Sequence, residues 1–142
     1  MIDNGTRDAS VSDEAFAPRV LLLDDVREIV EEVCTIFLLR GVPAVGACDL
    51  AEAIAMLERF ETLALVASDI RLGDEEGADI ISLVAAHPSL ADRGIAFLFM
   101  TGDVMRFAEG AMIDGHPLLL KPVQPEQLLD ISFALLDAQG QA

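Results

Sequence analysis

The chain has 142 residues, enough for one domain with a sizeable core and too few for two ordinary ones. Hydrophobic residues make up 53% of it, yet no apolar run approaches the roughly 20 residues that a membrane-spanning helix needs, and residues 1–18 lack the layout of a secretory signal. A formal net charge of −16 repels nucleic acid phosphates and anionic headgroups, so the expectation is a cytoplasmic protein that contacts neither nucleic acid nor membrane.

Residues 1–18 read as a polar, flexible extension, residues 19–138 as the domain and residues 139–142 as a tail. Arg19-Val-Leu-Leu-Leu-Asp24-Asp25 is a short apolar strand that ends in acid, the pattern of a strand covered on both faces. From Val26 to Arg40, the residues Val26, Ile29, Val30, Val33, Ile36 and Phe37 recur at helical spacing, and Gly41 supplies a stop. A weaker strand over residues 43–48 follows. Asp49 and Glu52 then form a capping box for a helix with Leu50, Ala53, Ile54 and Leu57 on its inner stripe. Cys34 and Cys48 match no metal or redox spacing and read as buried free thiols.

Leu63-Ala-Leu-Val-Ala-Ser-Asp69 is a third apolar strand ending in acid. After it come a Gly- and acid-rich loop, in which Asp74, Glu75 and Glu76 read as solvated surface, and a helix carrying Ile80, Ile81, Leu83 and Val84. Residues 94–101 make the fourth strand and residues 117–122 the fifth, and residues 125–138 form the last helix with Pro125 near its start. Between the fourth and fifth strands, over Asp103 to Gly115, the helix signal is poor and is interrupted by Gly110 and Gly115. His87 and His116 read as structural. Strands too apolar to face water, alternating with helices, predict an α/β fold: a doubly wound, five-stranded parallel sheet with helices on both faces.

In such a sheet, ligands bind where the carboxyl ends of the strands converge. Those ends carry Asp24 and Asp25, Asp69, Thr101 and Lys121: three carboxylates, one hydroxyl and one ammonium. Close carboxylate pairs repel by on the order of 1–4 kcal/mol, and a divalent cation relieves that repulsion. Oxygen ligands alone suit Mg²⁺ or Mn²⁺ better than zinc. A carboxylate beside the metal can attack phosphorus to give an aspartyl phosphate, with Lys121 and Thr101 serving the phosphoryl oxygens.

An acidic pair after the first strand, a lone Asp after the third, Thr-Gly after the fourth and Lys-Pro after the fifth resemble the receiver domain of bacterial response regulators, over about residues 19–138. The resemblance implies the flavodoxin-like strand order 2-1-3-4-5, phosphorylation of Asp69, and Mg²⁺ (or Mn²⁺) held by Asp24, Asp25, Asp69 and the backbone carbonyl of Arg71. It also implies a cis Lys121–Pro122 bond. The implied partners are a sensor histidine kinase or a histidine phosphotransfer protein, in a two-component system or phosphorelay. The implied output face comprises the fourth helix, the fifth strand and the fifth helix.

The run Phe97 to Gly102 is similar to that of receivers in hybrid kinases and single-domain regulators. Leu118 stands where many receivers carry Tyr or Phe, and the chain has no Tyr or Trp. With no output domain expected after residue 142, the expected output is protein contact, and the expected chemistry is limited to self-phosphorylation and autodephosphorylation, not an enzyme's turnover. The alternative is a phosphorylation-independent interaction module that kept the fold. A hydrolase with an aspartyl nucleophile fits less well, because Asp24-Asp25-Val26 lacks the second Asp two residues on. Flavin binding fails because this acidic loop would repel a phosphate.

Overall fold

The structure, a computed structural model, describes residues 16–108 and 110–140. Most of the expected N-terminal extension lies outside the described residues. Its last part is packed: Phe16 meets Phe60 edge-on at 5.9 Å, and the Pro18 carbonyl accepts from the Thr62 hydroxyl at 2.7 Å.

The elements in chain order are β1 (Val20–Leu23), α1 (Arg27–Leu39), β2 (Ala44–Ala47), α2 (Leu50–Arg59), β3 (Leu65–Asp69), β4 (Arg71–Leu72), β5 (Glu75–Glu76), α3 (Asp79–Ala86), β6 (Ala96–Thr101), β7 (Met112–Ile113), β8 (His116–Leu120) and α4 (Pro125–Gly140). The main sheet runs β2-β1-β3-β6-β8-β7. Its first five strands are parallel, in the expected order, and β7 is added antiparallel at the edge.

Strand side chains alternate between two faces, and each face has its own core. Leu21, Leu23, Val66, Phe97, Phe99 and Leu118 pack with Leu57 of α2 and with Ile80 and Val84 of α3. On the other face, Val20, Leu22, Leu65, Ala67, Leu98 and Met100 pack with Val30 and Phe37 of α1 and with Leu129 and Leu136 of α4. This explains the unbroken apolar runs: a strand with helices on both sides has no solvent face on which to place polar residues. Within α1, Val30 and Phe37 are buried, whereas Val26 and Ile29, also on the predicted stripe, are more than a third exposed.

The expected cap of α2 is present: Asp49 Oδ1 accepts from the Glu52 N–H at 2.8 Å, and Glu52 Oε1 accepts from the Cys48 N–H at 2.7 Å. The helix expected over Asp103 to Gly115 is absent among the described residues. Asp103 starts one turn, its carboxylate accepting from Arg106 N–H at 3.1 Å, and the chain then enters the β7–β8 hairpin. The two residues between these strands, Asp114 (φ 50°) and Gly115 (φ 83°), are both left-handed, as a type I′ turn demands. That turn sets the register of Ile113 against His116 and commits the segment to a strand pair that a helix could not share. Gly110 removes about 1 kcal/mol of helical preference from the competitor.

Ser132 of α4 is fully buried, and its hydroxyl has no hydrogen-bond partner. A desolvated, unpaired hydroxyl is unfavourable, and Ala is the better helix former. Ser132→Ala should therefore raise unfolding free energy by about 1 kcal/mol in urea titration; a loss of stability would show that the hydroxyl is satisfied.

Candidate functional site

Asp24 is the first residue beyond β1. Its N–H donates to the Ala47 carbonyl at 3.2 Å, its Oδ1 accepts from the Val26 N–H at 3.0 Å, and it is 5% exposed. One carboxylate oxygen thus holds the entry to α1 and the other remains for the site. Asp25 is exposed and Asp69, the last residue of β3, is half-buried. One oxygen from each of the three carboxylates can be chosen so that all lie within 4.8 Å of one another.

Lys121 follows β8, and its Nζ lies 3.1 Å from Asp69 Oδ2 and 3.6 Å from Asp24 Oδ2. It is the only lysine in the sequence. Its backbone N–H donates to the Thr101 carbonyl at 2.7 Å, which fixes the end of β8 against the end of β6, and the Lys121–Pro122 bond is cis. Thr101 is buried, and its Oγ1 accepts from the Asp103 N–H at 3.1 Å. Because that oxygen acts as acceptor, its own proton is left to donate elsewhere.

One ammonium among three carboxylates leaves the cluster anionic. Burial holds the Asp24 carboxyl above its ordinary value; the bond from Val26 and the Lys121 charge pull it down, and Asp69 and Asp25 push it up. The donor set is oxygen only, with one member fully open to water, which fits a hard divalent cation that keeps several of its waters. Asp24, Asp25 and Asp69 are thus together as the sequence predicts, with Lys121 bridging two of them. Arg71 lies in β4, two residues after Asp69, and is exposed.

Sequence reasoning missed two supports of this site. Gly77 packs on the Asp69 peptide: a Cβ there would lie 1.9 Å from the Asp69 carbonyl oxygen and 2.7 Å from Ser68 Oγ. Only glycine admits that approach, and the Gly77 N–H donates back to the Ile70 carbonyl at 2.6 Å. Glu75, read as solvated surface, is exposed, yet its Oε1 accepts from the Leu50 N–H at 3.0 Å. The signal for the first was the Gly-Asp pair at 73–74, which marks a tight hairpin that brings the chain back toward Asp69; no local pattern signals the second.

Leu118 is buried in β8 opposite Phe99, so an apolar core contact occupies the position of the usual aromatic. His116 meets the Phe97 and Phe99 rings at 5.2 and 6.5 Å, and His87 pairs with Glu58 at 2.7 Å, both structural contacts. The cysteines are half-buried rather than buried. Burial, with help from Glu31, pushes the Cys34 thiol up to about 11, and burial also raises that of Cys48, which argues against either as a thiolate nucleophile.

No protein-family model and no curated protein sequence matches the chain. Solved structures do. A response regulator receiver protein from Pseudomonas putida is 28% identical, with 83% of this chain and 97% of that one covered at a TM-score of 0.68. A CheY-like receiver domain protein from Methanospirillum hungatei is 24% identical, covering 88% and 98% at 0.69. The chemotaxis response regulator CheY4 of Vibrio cholerae is 22% identical, covering 84% and 98% at 0.67. The chain has the receiver fold of response regulators, with β7 as an added edge strand. No helix among the described residues is long and apolar enough to cross a membrane.

Because the folded-state pKa of Asp24 is raised, the native state holds its proton more tightly than the unfolded chain does. Stability from this group therefore falls as pH rises from 3.8 through the raised value. Without divalent cations, Asp24→Asn should melt at a higher temperature than wild type at pH 7, and the advantage should shrink as the pH approaches 3.8. A lower melting temperature at pH 7, or a difference independent of pH, would count against this account.

Proposed function

We propose that the chain is a phosphoacceptor receiver domain in a two-component system or phosphorelay, with Asp69 as the residue phosphorylated. The observation that carries this reading is the placing of the Asp69 carboxylate at a strand end, 3.1 Å from Lys121 and within 4.8 Å of oxygens from Asp24 and Asp25. An Asp69 oxygen attacks the phosphorus of a phosphohistidine on a kinase or phosphotransfer protein. The P–N bond breaks, imidazole leaves, and an acyl phosphate forms on Asp69. Lys121 shifts its contact from the carboxylate to a phosphoryl oxygen, and the free Thr101 proton serves another, so charge that builds on the transferring group meets two donors. Asp24, Asp25, Asp69 and the Arg71 carbonyl would hold Mg²⁺ or Mn²⁺, which would supply neutralisation of the phosphoryl charge. The chemistry is confined to phosphorylation and autodephosphorylation of the domain itself.

The Thr101–Asp103 bond supports a route for output. If the Thr101 side chain turns toward the phosphoryl group, the Asp103 N–H loses its acceptor, and the turn that exposes Val104 (61%) and Met105 (93%) is released. The target, a protein, binds there and at the β7–β8 hairpin and α4, in a cytoplasmic setting. A second reading, a module that binds partners without phosphorylation, is favoured by Leu118 and by the absence of a helix between β6 and β7 among the described residues.

Incubation with a small acyl phosphate and Mg²⁺ should give a phosphate-dependent mobility shift in wild type and none in Asp69→Asn; no shift in wild type, or an equal one in the variant, favours the second reading. Separately, Mg²⁺ should raise the melting temperature of wild type by binding the native state, and Asp25→Asn should lose most of that gain. Equal gains in the two proteins would remove the metal from the account.

A further inference from the structure

The segment that leaves Asp69 does not run straight into α3. It folds into the β4–β5 hairpin, with Arg71 opposite Glu76 and Leu72 opposite Glu75, turning at Gly73-Asp74. Leu72 is buried in the core, while Gly73 lies beside the metal edge of the site: a Cβ on it would be 4.0 Å from Asp25 Oδ2. The hairpin therefore carries the backbone at Gly73 along the Asp25 side of the cluster.

Besides the buried Leu72, two contacts hold the hairpin. At its base, Gly77 packs on the Asp69 peptide. On its returning strand, Glu75 reaches across to α2 and accepts the Leu50 N–H at 3.0 Å. Leu50 is the first residue of α2, where a backbone N–H has no partner within the helix and the helix dipole favours an anion. The Glu52 N–H in the same turn is served locally by Asp49, whereas Glu75 is 25 residues from Leu50 in sequence. A two-stranded hairpin this short is not stable alone, so its position depends on such anchors.

We propose that Glu75 is a positioning residue for the metal site: by accepting the Leu50 N–H it fixes the β4–β5 hairpin, and with it Arg71 and Gly73, against Asp25. The proposal rests on the reading of the Asp24–Asp25–Asp69 cluster as a divalent cation site. It differs from a purely structural cap of α2, which would alter the stability of the metal-free protein and leave cation affinity unchanged. It differs also from a long-range effect of the Glu75 charge, which Gln would abolish as fully as Ala.

The test is titration of the full chain with Mn²⁺ alone, counting free ion by its electron paramagnetic resonance signal, in wild type, Asp25→Asn, Glu75→Ala and Glu75→Gln. Metal-free melting temperatures confirm that each variant is folded, as an exposed residue leads one to expect. Glu75→Ala should weaken Mn²⁺ binding about tenfold, the low end of the losses seen when supports outside the ligands themselves are removed. Glu75→Gln, which keeps an acceptor oxygen, should stay within about twofold of wild type, since an exposed charge is screened. Wild-type affinity in Glu75→Ala, or a loss in Glu75→Gln equal to that in Glu75→Ala, overturns the proposal while binding by wild type and loss in Asp25→Asn keep the metal-site reading. Absence of Mn²⁺ binding by wild type overturns both.

Discussion

The whole carboxyl edge of the sheet is organised around one electrostatic imbalance: three carboxylates brought together with a single lysine between two of them. Lys121 touches Asp69 and Asp24, and Asp25 has no such contact in that set. Gathering like charges is unfavourable unless the backbone makes it unavoidable, and here it does. Asp24 sits where β1 ends and α1 begins, Asp69 where β3 ends, Lys121 where β8 ends, and the parallel register of β1, β3, β6 and β8 brings these ends together. The core on each face holds the strands in that register. Stability generated by apolar packing thereby sustains unsatisfied charge at the edge.

The supports of the site follow the same logic at smaller scale. Thr101 gives its carbonyl to Lys121 and its Oγ1 to Asp103, so one residue connects the lysine's strand with the turn after β6. Gly77 allows the chain after Asp69 to fold back on itself, and Glu75 fastens the returning strand to α2. Each is a short-range constraint on a residue that would otherwise sit on a loop.

How far this was legible in the sequence depended on the range of the interaction concerned. Apolar runs such as Val20–Leu23 and Leu65–Ser68 announced buried parallel strands because burial on both faces leaves no alternation to read. The charged residues at their ends then located the site without any knowledge of packing. Over Asp103 to Gly115 the receiver pattern calls for a helix for which the residues give only a poor signal, while the Asp114-Gly115 turn, a local signal for a hairpin, points the other way and prevails. Glu75 was read as solvated surface, and its exposure agrees with that. Its bond to Leu50 depends on a contact between elements 25 residues apart, which no local pattern encodes.

The central claim is that the phosphoryl group resides on the Asp69 carboxylate. The most direct measurement is chemical: treat the phosphorylated chain with borohydride, which reduces an acyl phosphate to an alcohol, then digest and sequence by mass spectrometry. The account predicts homoserine at position 69 and unmodified Asp at 24 and 25. Reduction at Asp24 or Asp25, or a phosphate that resists borohydride because it is an ester on a hydroxyl, would contradict it.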